Sequence, residues 1–143
     1  MKILYIIISG LAGQGGHLYS CRTIAEAYQE KNKADVIHLC CLGAESPVIS
    51  NSALPVFNIS LLSQGVVKAF LEFLKLIAKE QYDLLHAYDT LSFVFANIAA
   101  FFFKKKCLMT LCGGPNPSKT GQSRARVFSS GAGRQGLSFF QDL

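Results

Sequence analysis

Residues 3–17 have the sequence Ile-Leu-Tyr-Ile-Ile-Ile-Ser-Gly-Leu-Ala-Gly-Gln-Gly-Gly-His, and this stretch decides the fold. Its first six residues form a continuous apolar run rich in isoleucine, which is typical of a strand buried on both faces, and such strands belong to parallel sheets. The glycines that follow end the strand, and from His17 onward apolar residues recur every three or four positions. The stretch therefore predicts a strand, a glycine-rich turn and an amphipathic helix in succession.

The same alternation of strands and helices continues to about residue 117. Further strands are predicted at residues 36–42, 54–59, 82–86 and 107–111, and further helices follow Gly65 and cover residues 91–103. Strands that alternate with helices predict an α/β protein with a Rossmann-like, doubly wound parallel sheet.

Two of the predicted helices differ in their surface patterns. In the helix after Gly65, lysine and glutamate mark the solvent-exposed face. The buried face is predicted to consist of Val67, Phe70, Leu71, Leu74 and either Ile77 or Ala78. Residues 91–103 are apolar on nearly all sides of the predicted helix, so this helix must be buried by neighbouring elements or lie against another apolar surface. A buried core helix is the first interpretation, and contact with a membrane surface is the second.

The composition fits one folded domain in a reducing compartment. The chain has 143 residues, of which 50% are hydrophobic, and a net charge of +5. Its five cysteines form no CxxC pair, which favours a reduced, cytoplasmic protein. The first apolar run is too short for the core of a signal peptide, and no transmembrane segment is predicted. The expected location is the cytoplasm, and peripheral association with the inner face of the membrane is the alternative.

The composition changes after residue 117. Residues 118–143 contain five serines, four glycines and four basic residues against one acidic residue, without a helical or strand period. We predict a partial Rossmann-like domain at 1–117 and a loosely ordered, solvated tail at 118–143, with no nucleic acid as partner. The abrupt change further suggests that this end replaces the sequence that would have completed the domain, as a frameshift or alternative splice would do.

Polar residues in the loops after the strands are the candidates for function, because ligands of doubly wound sheets bind at the carboxyl ends of the strands. The glycines at residues 13–16 open a helix, where backbone N–H groups could receive an anion. No G-x-G-x-x-G pattern, ribose-binding acid or P-loop lysine is present, so no dinucleotide or other cofactor is expected. A glycine-rich turn without a ligand stays open as an interpretation.

The three histidines have different settings. His17 and His86 both follow predicted strands and could converge above the sheet, whereas His38 lies within an apolar strand and is interpreted as a core residue. Asp89 could orient an imidazole, accept sugar hydroxyls or cap the next helix. Ligands at His17, His86 and Cys112 lack metal-site spacing, so no metal is expected.

Three motifs in order resemble the N-terminal half of GT-B fold glycosyltransferases of the family 4 type. They are Gly15-Gly16-His17 after the first strand, Asp83-Leu-Leu-His86-Ala-Tyr-Asp89-Thr, and Leu108-Met-Thr110-Leu-Cys112-Gly113-Gly114-Pro115-Asn116-Pro117. Cys112 stands where the family has a histidine, which alters one contact near the reacting sugar.

The resemblance implies a retaining transferase with two Rossmann-like domains. The C-terminal domain would hold most of the nucleotide-sugar donor, and the N-terminal domain would hold a sugar or lipid-linked acceptor. By this resemblance the catalytic residues are His86 and Asp89 on the acceptor side, Gly15 and Gly16 approach the donor phosphates, and the further substrate-binding residues are His17, Cys112 and Gly113.

The leading hypothesis is therefore the acceptor-side N-terminal domain of such a transferase, inactive alone. An alternative is a small non-catalytic α/β module of flavodoxin-like outline that binds a nucleotide or anion at residues 13–17. A third is a degenerate product without independent function, which would expose sheet edges and self-associate.

Overall fold

The structure of the chain, a computed structural model, describes residues 1–10, 15–111 and 126–130, which form six strands and five helices. The strands are β1 (Lys2–Ser9), β2 (Val36–Gly43), β3 (Val56–Ile59), β4 (Leu84–Ala87), β5 (Lys106–Leu111) and β6 (Arg126–Ser130). The helices are α1 (Gly15–Lys31), α2 (Pro47–Ser50), α3 (Leu61–Gln64), α4 (Val66–Glu80) and α5 (Thr90–Phe103). Every element predicted from the sequence is present, whereas α2, α3 and β6 were not predicted.

All six strands lie in one sheet, in the order β3-β2-β1-β4-β5-β6. The first five strands are parallel, and Ile3 of β1 is level with Ile37 of β2 and Leu84 of β4. This is the order of a doubly wound Rossmann-like sheet, whereas the flavodoxin-like order would put the second strand at the edge. The predicted fold class is confirmed, and the flavodoxin-like outline of the alternative module is wrong.

The sixth strand was not anticipated. β6 pairs with β5 in the antiparallel direction, with Arg126 opposite Leu111 and Ser130 opposite Cys107. It lies within residues 118–143, where the sequence has no strand period, so backbone pairing along the edge of β5 sets this strand. The remainder of that segment lies outside the described residues, and the division of the chain near residue 117 stays a prediction.

Helix α1 covers one face of the sheet. Its inward side chains Leu18, Cys21 and Ala25 are buried in a cluster with Tyr5 and the other odd-numbered apolar residues of β1. Because Ala25 faces the sheet, Ile24 beside it is 45% exposed. The three-and-four spacing seen in the sequence thus corresponds to a single buried stripe.

Helices α4 and α5 cover the opposite face. Residues Ala69, Phe73 and Ile77 of α4 are spaced by four and are buried in a cluster with Phe95 of α5. The prediction that Val67 and Leu71 also face inward is wrong, since they are exposed. The buried stripe runs along Ala69, Phe73 and Ile77, and these two side chains lie outside it.

Helix α5 is buried on one side only. Ala96, Ala99 and Ala100 are buried together with Phe95, whereas Phe101 and Phe102 are exposed. The interpretation of α5 as a core helix therefore holds for its inner side alone. Among the described residues, no helix has the length and apolar character needed to cross a membrane.

The amino edge of the sheet, where the parallel strands begin, is held by partly exposed charged groups. The N-terminal amine lies 2.8 Å from Asp35 Oδ1, and Lys2 Nζ lies 2.7 Å from Glu80 Oε2. The backbone N–H of Lys2 donates to the Asp83 carboxylate at 2.7 Å, and β4 begins at Leu84, two residues after the predicted start. These contacts fix the starts of β1 and β4 beside each other.

The same edge contains His38, which the sequence assigned to the core. Its Nδ1 lies 2.7 Å from the Tyr82 hydroxyl, and its ring stacks edge-on against that of Tyr82 with centroids 5.6 Å apart. Burial lowers the pKa of His38, and the nearby Lys2 lowers it further. His38 is only partly buried, so the expected core position is confirmed in part, and its ring nitrogen has the Tyr82 hydroxyl as partner.

Candidate functional site

The candidate site lies at the carboxyl edge of the sheet, between β1 and β4. The strand order reverses there, because the connection from β1 leads outward to β2 whereas β4 lies on its other side. Helix α1 leaves β1 toward one face and α5 leaves β4 toward the other. In doubly wound sheets this reversal opens the crevice in which ligands bind.

The end of β1 and the start of α1 both lie at this crevice. Gly10 ends β1 with φ of +91°, and α1 begins at Gly15, so Gly16 and His17 lie in its first turn. That turn carries no acidic side chain, and a Cβ added at Gly16 would meet no atom of the described residues within 4 Å. The first turn of α1 therefore has room for a ligand beside it; residues 11–14, which include Gly13 and Gln14, lie outside the described residues.

The end of β1 is fixed to the end of β2 by a close contact. Gly43 has φ of +118°, and a Cβ at this position would stand 2.3 Å from the carbonyl oxygen of Ser9. The Ser9 hydroxyl donates to the carbonyl of Ala44, and the Cys41 thiol donates to that hydroxyl at 3.1 Å. Only glycine fits at position 43, because both its backbone angle and its close approach exclude a side chain.

Asp89 connects the end of β1 to the start of α5. Its Oδ1 accepts the backbone N–H of Ser92 at 2.8 Å, and its Oδ2 accepts the backbone N–H of Ile8 at 2.9 Å. The Ser92 hydroxyl completes a capping box with the N–H of Asp89. The capping role predicted for Asp89 is thus confirmed, and the same carboxylate spans the reversal in strand order.

His86 lies within β4, three residues before Asp89, and is almost fully buried. Its Nε2 is 2.8 Å from the Thr110 hydroxyl oxygen of β5. Its ring contacts those of Tyr5 and Tyr88, with centroids 4.7 and 5.0 Å away, and the two tyrosine rings also contact each other. With only 8% of its surface exposed, His86 is a buried polar residue whose hydrogen bond is satisfied within the sheet.

This environment limits the chemistry of His86. Burial lowers its pKa from 6.5 to about 4, so the imidazole is neutral at pH 7. A neutral imidazole of such low pKa is a weak base, yet it can donate or accept a hydrogen bond. Burial also raises the pKa of Tyr5 to about 12, so that the neighbouring phenol keeps its proton. The geometry favours a positioning role for His86 over proton abstraction, and its catalytic role stays a prediction.

The structure brings some of the predicted site residues together and leaves others apart. Gly15, Gly16 and Asp89 flank the same crevice, but no hydrogen bond or ring contact joins His17 to His86 within the described part of the chain. The Asp89 carboxylate accepts from Ile8 and Ser92 rather than from the His86 ring. The predicted substrate-binding residues Cys112 and Gly113 lie outside the described residues.

Sequence reasoning gave Thr110 no role of its own, although it is the hydrogen-bond partner of His86. Leu108 pairs with His86 across β4 and β5, and Thr110 lies two residues further along β5. Because side chains two apart in a strand share a face, Thr110 could have been placed beside His86 once these strands were predicted as neighbours. Ser9 and Gly43 were not singled out, because a contact between strand ends leaves no spacing in the sequence.

One open groove of about 460 Å³ lies elsewhere, between α1 and the segment that leads into β3. Its main polar groups bind one another: Arg22 Nε donates to Glu26 Oε1 at 2.9 Å, and the Ser52 hydroxyl donates to the same oxygen at 2.7 Å. This groove lies toward the amino edge, away from the crevice, and its Arg22 and Glu26 charges are already paired. Within residues 1–10, 15–111 and 126–130, no group of three or more metal-ligating side chains is found.

Comparison with known proteins shows similarity in structure only. No protein-family model matches the chain, and no curated protein matches its sequence. Anabaena Alr3699/HepE in complex with UDP has a TM-score of 0.59 and 22% identity, covering 84% of this chain and 32% of that one. Acinetobacter baumannii MurG has a TM-score of 0.60 and 12% identity, covering 82% and 38%.

A third solved structure is the lipopolysaccharide outer core galactosyltransferase WaaB, with a TM-score of 0.56, 14% identity, and coverage of 76% of this chain and 32% of that one. These neighbours have the GT-B fold, and at such identities the similarity shows the fold alone. The chain spans about a third of the length of the solved structures it matches. Its sheet is thus a Rossmann-like domain of the kind that GT-B proteins contain.

Proposed function

We propose that the chain is the acceptor-side, N-terminal domain of a retaining glycosyltransferase that uses a nucleotide-sugar donor. One observation carries the proposal: where the strand order reverses, the open first turn of α1 lies on one side and the Asp89 carboxylate ties β1 to α5 on the other. The fold shared with HepE, which was solved with UDP, supports a nucleoside diphosphate as the ligand.

Each predicted site residue has a place in this proposal. The N–H groups of the first turn of α1, at Gly15, Gly16 and His17, would approach the donor phosphates, because a helix N-terminus favours negative charge. Asp89 would hold the acceptor side in position through its bonds to Ile8 and Ser92. His86 would act through Thr110, which its Nε2 contacts. Cys112 and Gly113 complete the proposed set.

The donor side would be supplied largely by a second domain, as the resemblance implies. We therefore expect the 143-residue chain alone to transfer no sugar. Release of nucleoside diphosphate from a nucleotide sugar, measured with and without a sugar acceptor, tests this expectation. Acceptor-dependent release by the isolated chain would show that the expected inactivity is wrong.

Weak binding of UDP by the isolated chain tests the site itself. In an amide NMR titration we expect UDP to shift the signals of Gly16, His17 and Thr90, at the starts of α1 and α5. Gly16→Asp places a carboxylate in the open first turn, where it favours the helix but repels a phosphate. This variant should therefore be at least as stable as the wild type and bind UDP about tenfold more weakly.

Gly16→Asn is the matched control, since it has nearly the same size without the charge. It should bind UDP within about threefold of the wild type. Equal losses in both variants would indicate a steric effect and remove the argument for a phosphate site. Chemical-shift changes confined to the amide signals of Arg22 and Glu26 would instead place UDP in the open groove that these two residues line.

A further inference from the structure

The outer surface of α3, α4 and α5 carries an unusual share of exposed apolar residues. Nine of the thirteen exposed large hydrophobic side chains found among the described residues lie on these three helices. Within α5 they form a stripe, defined here as Leu91, Val94, Ile98, Phe101 and Phe102. Phe101 is 79% exposed and Phe102 is 64% exposed, although phenylalanine is usually found inside folded proteins.

The α5 stripe occupies one continuous side of the helix. Its members are spaced by three, four, three and one residues, which places them within an arc of about 100°. The buried residues Phe95, Ala96 and Ala99 lie on the other side, where they fill the core. The stripe therefore contributes nothing to the packing of the described core, and a continuous exposed apolar patch of this kind marks an interaction site.

Positive charge borders the α5 stripe. Lys104, Lys105 and Lys106 follow directly after Phe103, the last residue of α5, and Lys68 and Lys75 are exposed on the neighbouring α4. The carboxylates that α4 offers are Glu72 and Glu80, and the second of these already pairs with Lys2 at 2.7 Å. Helix α5 itself contains no charged residue. Lysines thus outnumber the carboxylates on this surface.

We propose that the α5 stripe docks on an anionic membrane surface, with α5 lying in the plane of the interface. An apolar stripe that enters the headgroup region, next to lysines that attract anionic lipids, is the combination that interfacial helices use. A second copy of the chain would bring the same lysines without a matching set of carboxylates, which makes it the poorer partner. The 14 residues of α5 are too few to span a bilayer, so the contact is peripheral.

This proposal does not rest on the proposed function, because the residues of the α5 stripe are not those of the crevice. The two are nevertheless compatible in space. α5 begins at the Asp89 cap, so docking would hold the crevice within about 20 Å of the lipid headgroups, the length of the helix. That distance suits an acceptor carried on a lipid.

Vesicle binding by the full chain tests the apolar part of the contact. We expect the wild type to sediment with vesicles of equimolar phosphatidylcholine and phosphatidylglycerol, and much less with phosphatidylcholine alone. Phe101→Ser with Phe102→Ser should weaken binding more than about tenfold, since both rings would leave the acyl boundary. Tyr19→Ser with Ile24→Ser, two exposed residues on α1 across the sheet, should leave binding unchanged.

The lysines are tested separately from the phenylalanines. Lys104→Gln with Lys106→Gln should weaken binding to the anionic vesicles about tenfold, because each lysine near an anionic surface adds to the attraction. The control Lys31→Gln with Lys33→Gln removes two exposed lysines from the end of α1 and should have little effect. Far-ultraviolet circular dichroism is the check that each variant is folded.

Two results would overturn the proposal. Equal vesicle binding by the wild type and the phenylalanine variant would show that the α5 stripe is not the contact. A wild type that is dimeric by light scattering, becomes monomeric in the phenylalanine variant and binds no vesicles would assign the stripe to contact between copies of the chain.

Discussion

The two edges of the sheet are held together by different kinds of contact. At the carboxyl edge, Ser9 approaches Gly43 too closely for any side chain, and Asp89 accepts two backbone N–H groups. At the amino edge, the contacts include ion pairs between partly exposed groups, such as Lys2 with Glu80. The carboxyl edge relies on close packing and backbone hydrogen bonds, whereas the amino edge relies on charges that water screens.

Each edge also has one histidine bonded to a hydroxyl, and the two differ in depth. His86 near the carboxyl edge is almost fully buried beside Thr110, whereas His38 near the amino edge is partly exposed beside Tyr82. This difference in burial indicates that side chains at the carboxyl edge are held in more fixed positions than those at the amino edge. A site that must hold a ligand gains from the rigid edge, and we therefore expect substitutions at the two edges to differ in effect.

Gly43→Ala should produce the largest loss of stability. The added Cβ would stand 2.3 Å from the Ser9 carbonyl oxygen in a backbone conformation that alanine rarely adopts, so we expect about 3–5 kcal/mol of destabilisation. Urea unfolding followed by circular dichroism measures this change. Gly16→Ala is the control, since its Cβ meets no neighbour among the described residues, and its stability should equal that of the wild type or exceed it by up to about 1 kcal/mol. Similar values for both would contradict the tight contact at position 43.

Acidification should reveal the burial of His86. The unfolded imidazole takes up a proton near pH 6.5, whereas the folded one does so only near its pKa of about 4. Between these values the unfolded state binds more protons, so stability falls as pH falls, by up to about 3 kcal/mol from this residue.

The comparison of wild type with His86→Gln isolates this contribution. The variant should lack the corresponding part of the pH dependence between pH 6.5 and 4, when the free energy of unfolding is measured across that range. His38→Gln serves as the amino-edge counterpart, and it should remove a smaller part because His38 is less buried. An unchanged pH profile in His86→Gln would show that this imidazole is not held neutral.

Asp89→Ala should cost about 2–3 kcal/mol, because it removes a helix cap and leaves the Ile8 N–H without its acceptor. Asp89→Asn keeps a single amide oxygen as acceptor, so it should lose about half as much. Thermal and urea unfolding of both variants measures the difference. A full loss in Asp89→Asn would mean that both oxygens are needed, and no loss in Asp89→Ala would show that the cap contributes little.

Glu80→Gln should have the smallest effect of the four. It breaks the ion pair with Lys2 at the amino edge, but both groups are partly exposed, and such pairs add little to stability. We expect its urea midpoint to lie closer to the wild type than that of any variant at the carboxyl edge. A loss as large as that of Asp89→Ala would remove the contrast between the two edges.

The sequence was sufficient to predict the sheet and most helices, because burial leaves a period in the chain. The apolar run of β1 and the three-and-four spacing of α1 both correspond to buried residues, and the Asp89 cap was visible as an acid before an apolar helix. The exposed positions of Val67 and Leu71 were not predictable in this way. A period shows that a helix has an apolar side, but the angle at which it packs decides which members are covered.

Contacts between distant segments were also beyond the sequence. The Ser9–Gly43 contact and the His86–Thr110 hydrogen bond depend on the register of neighbouring strands. No local pattern in the sequence predicts that register. The strand β6 depends on pairing with an edge rather than on its own composition. The candidate site was therefore located from its loops, while the bonds that fix its shape became visible only in the folded chain.

The hydrogen bonds that join β1 to the segments around β4 have a consequence for the order of folding. Both the Lys2–Asp83 and the Ile8–Asp89 bonds connect residues 81 positions apart. β1 thus gains its second neighbour only after β4 has emerged from the ribosome, and closing so long a loop is entropically costly. Because residues 10–83 must be made before β4, the nascent chain carries one unpaired side of β1 during that interval, and such distant pairings also slow folding.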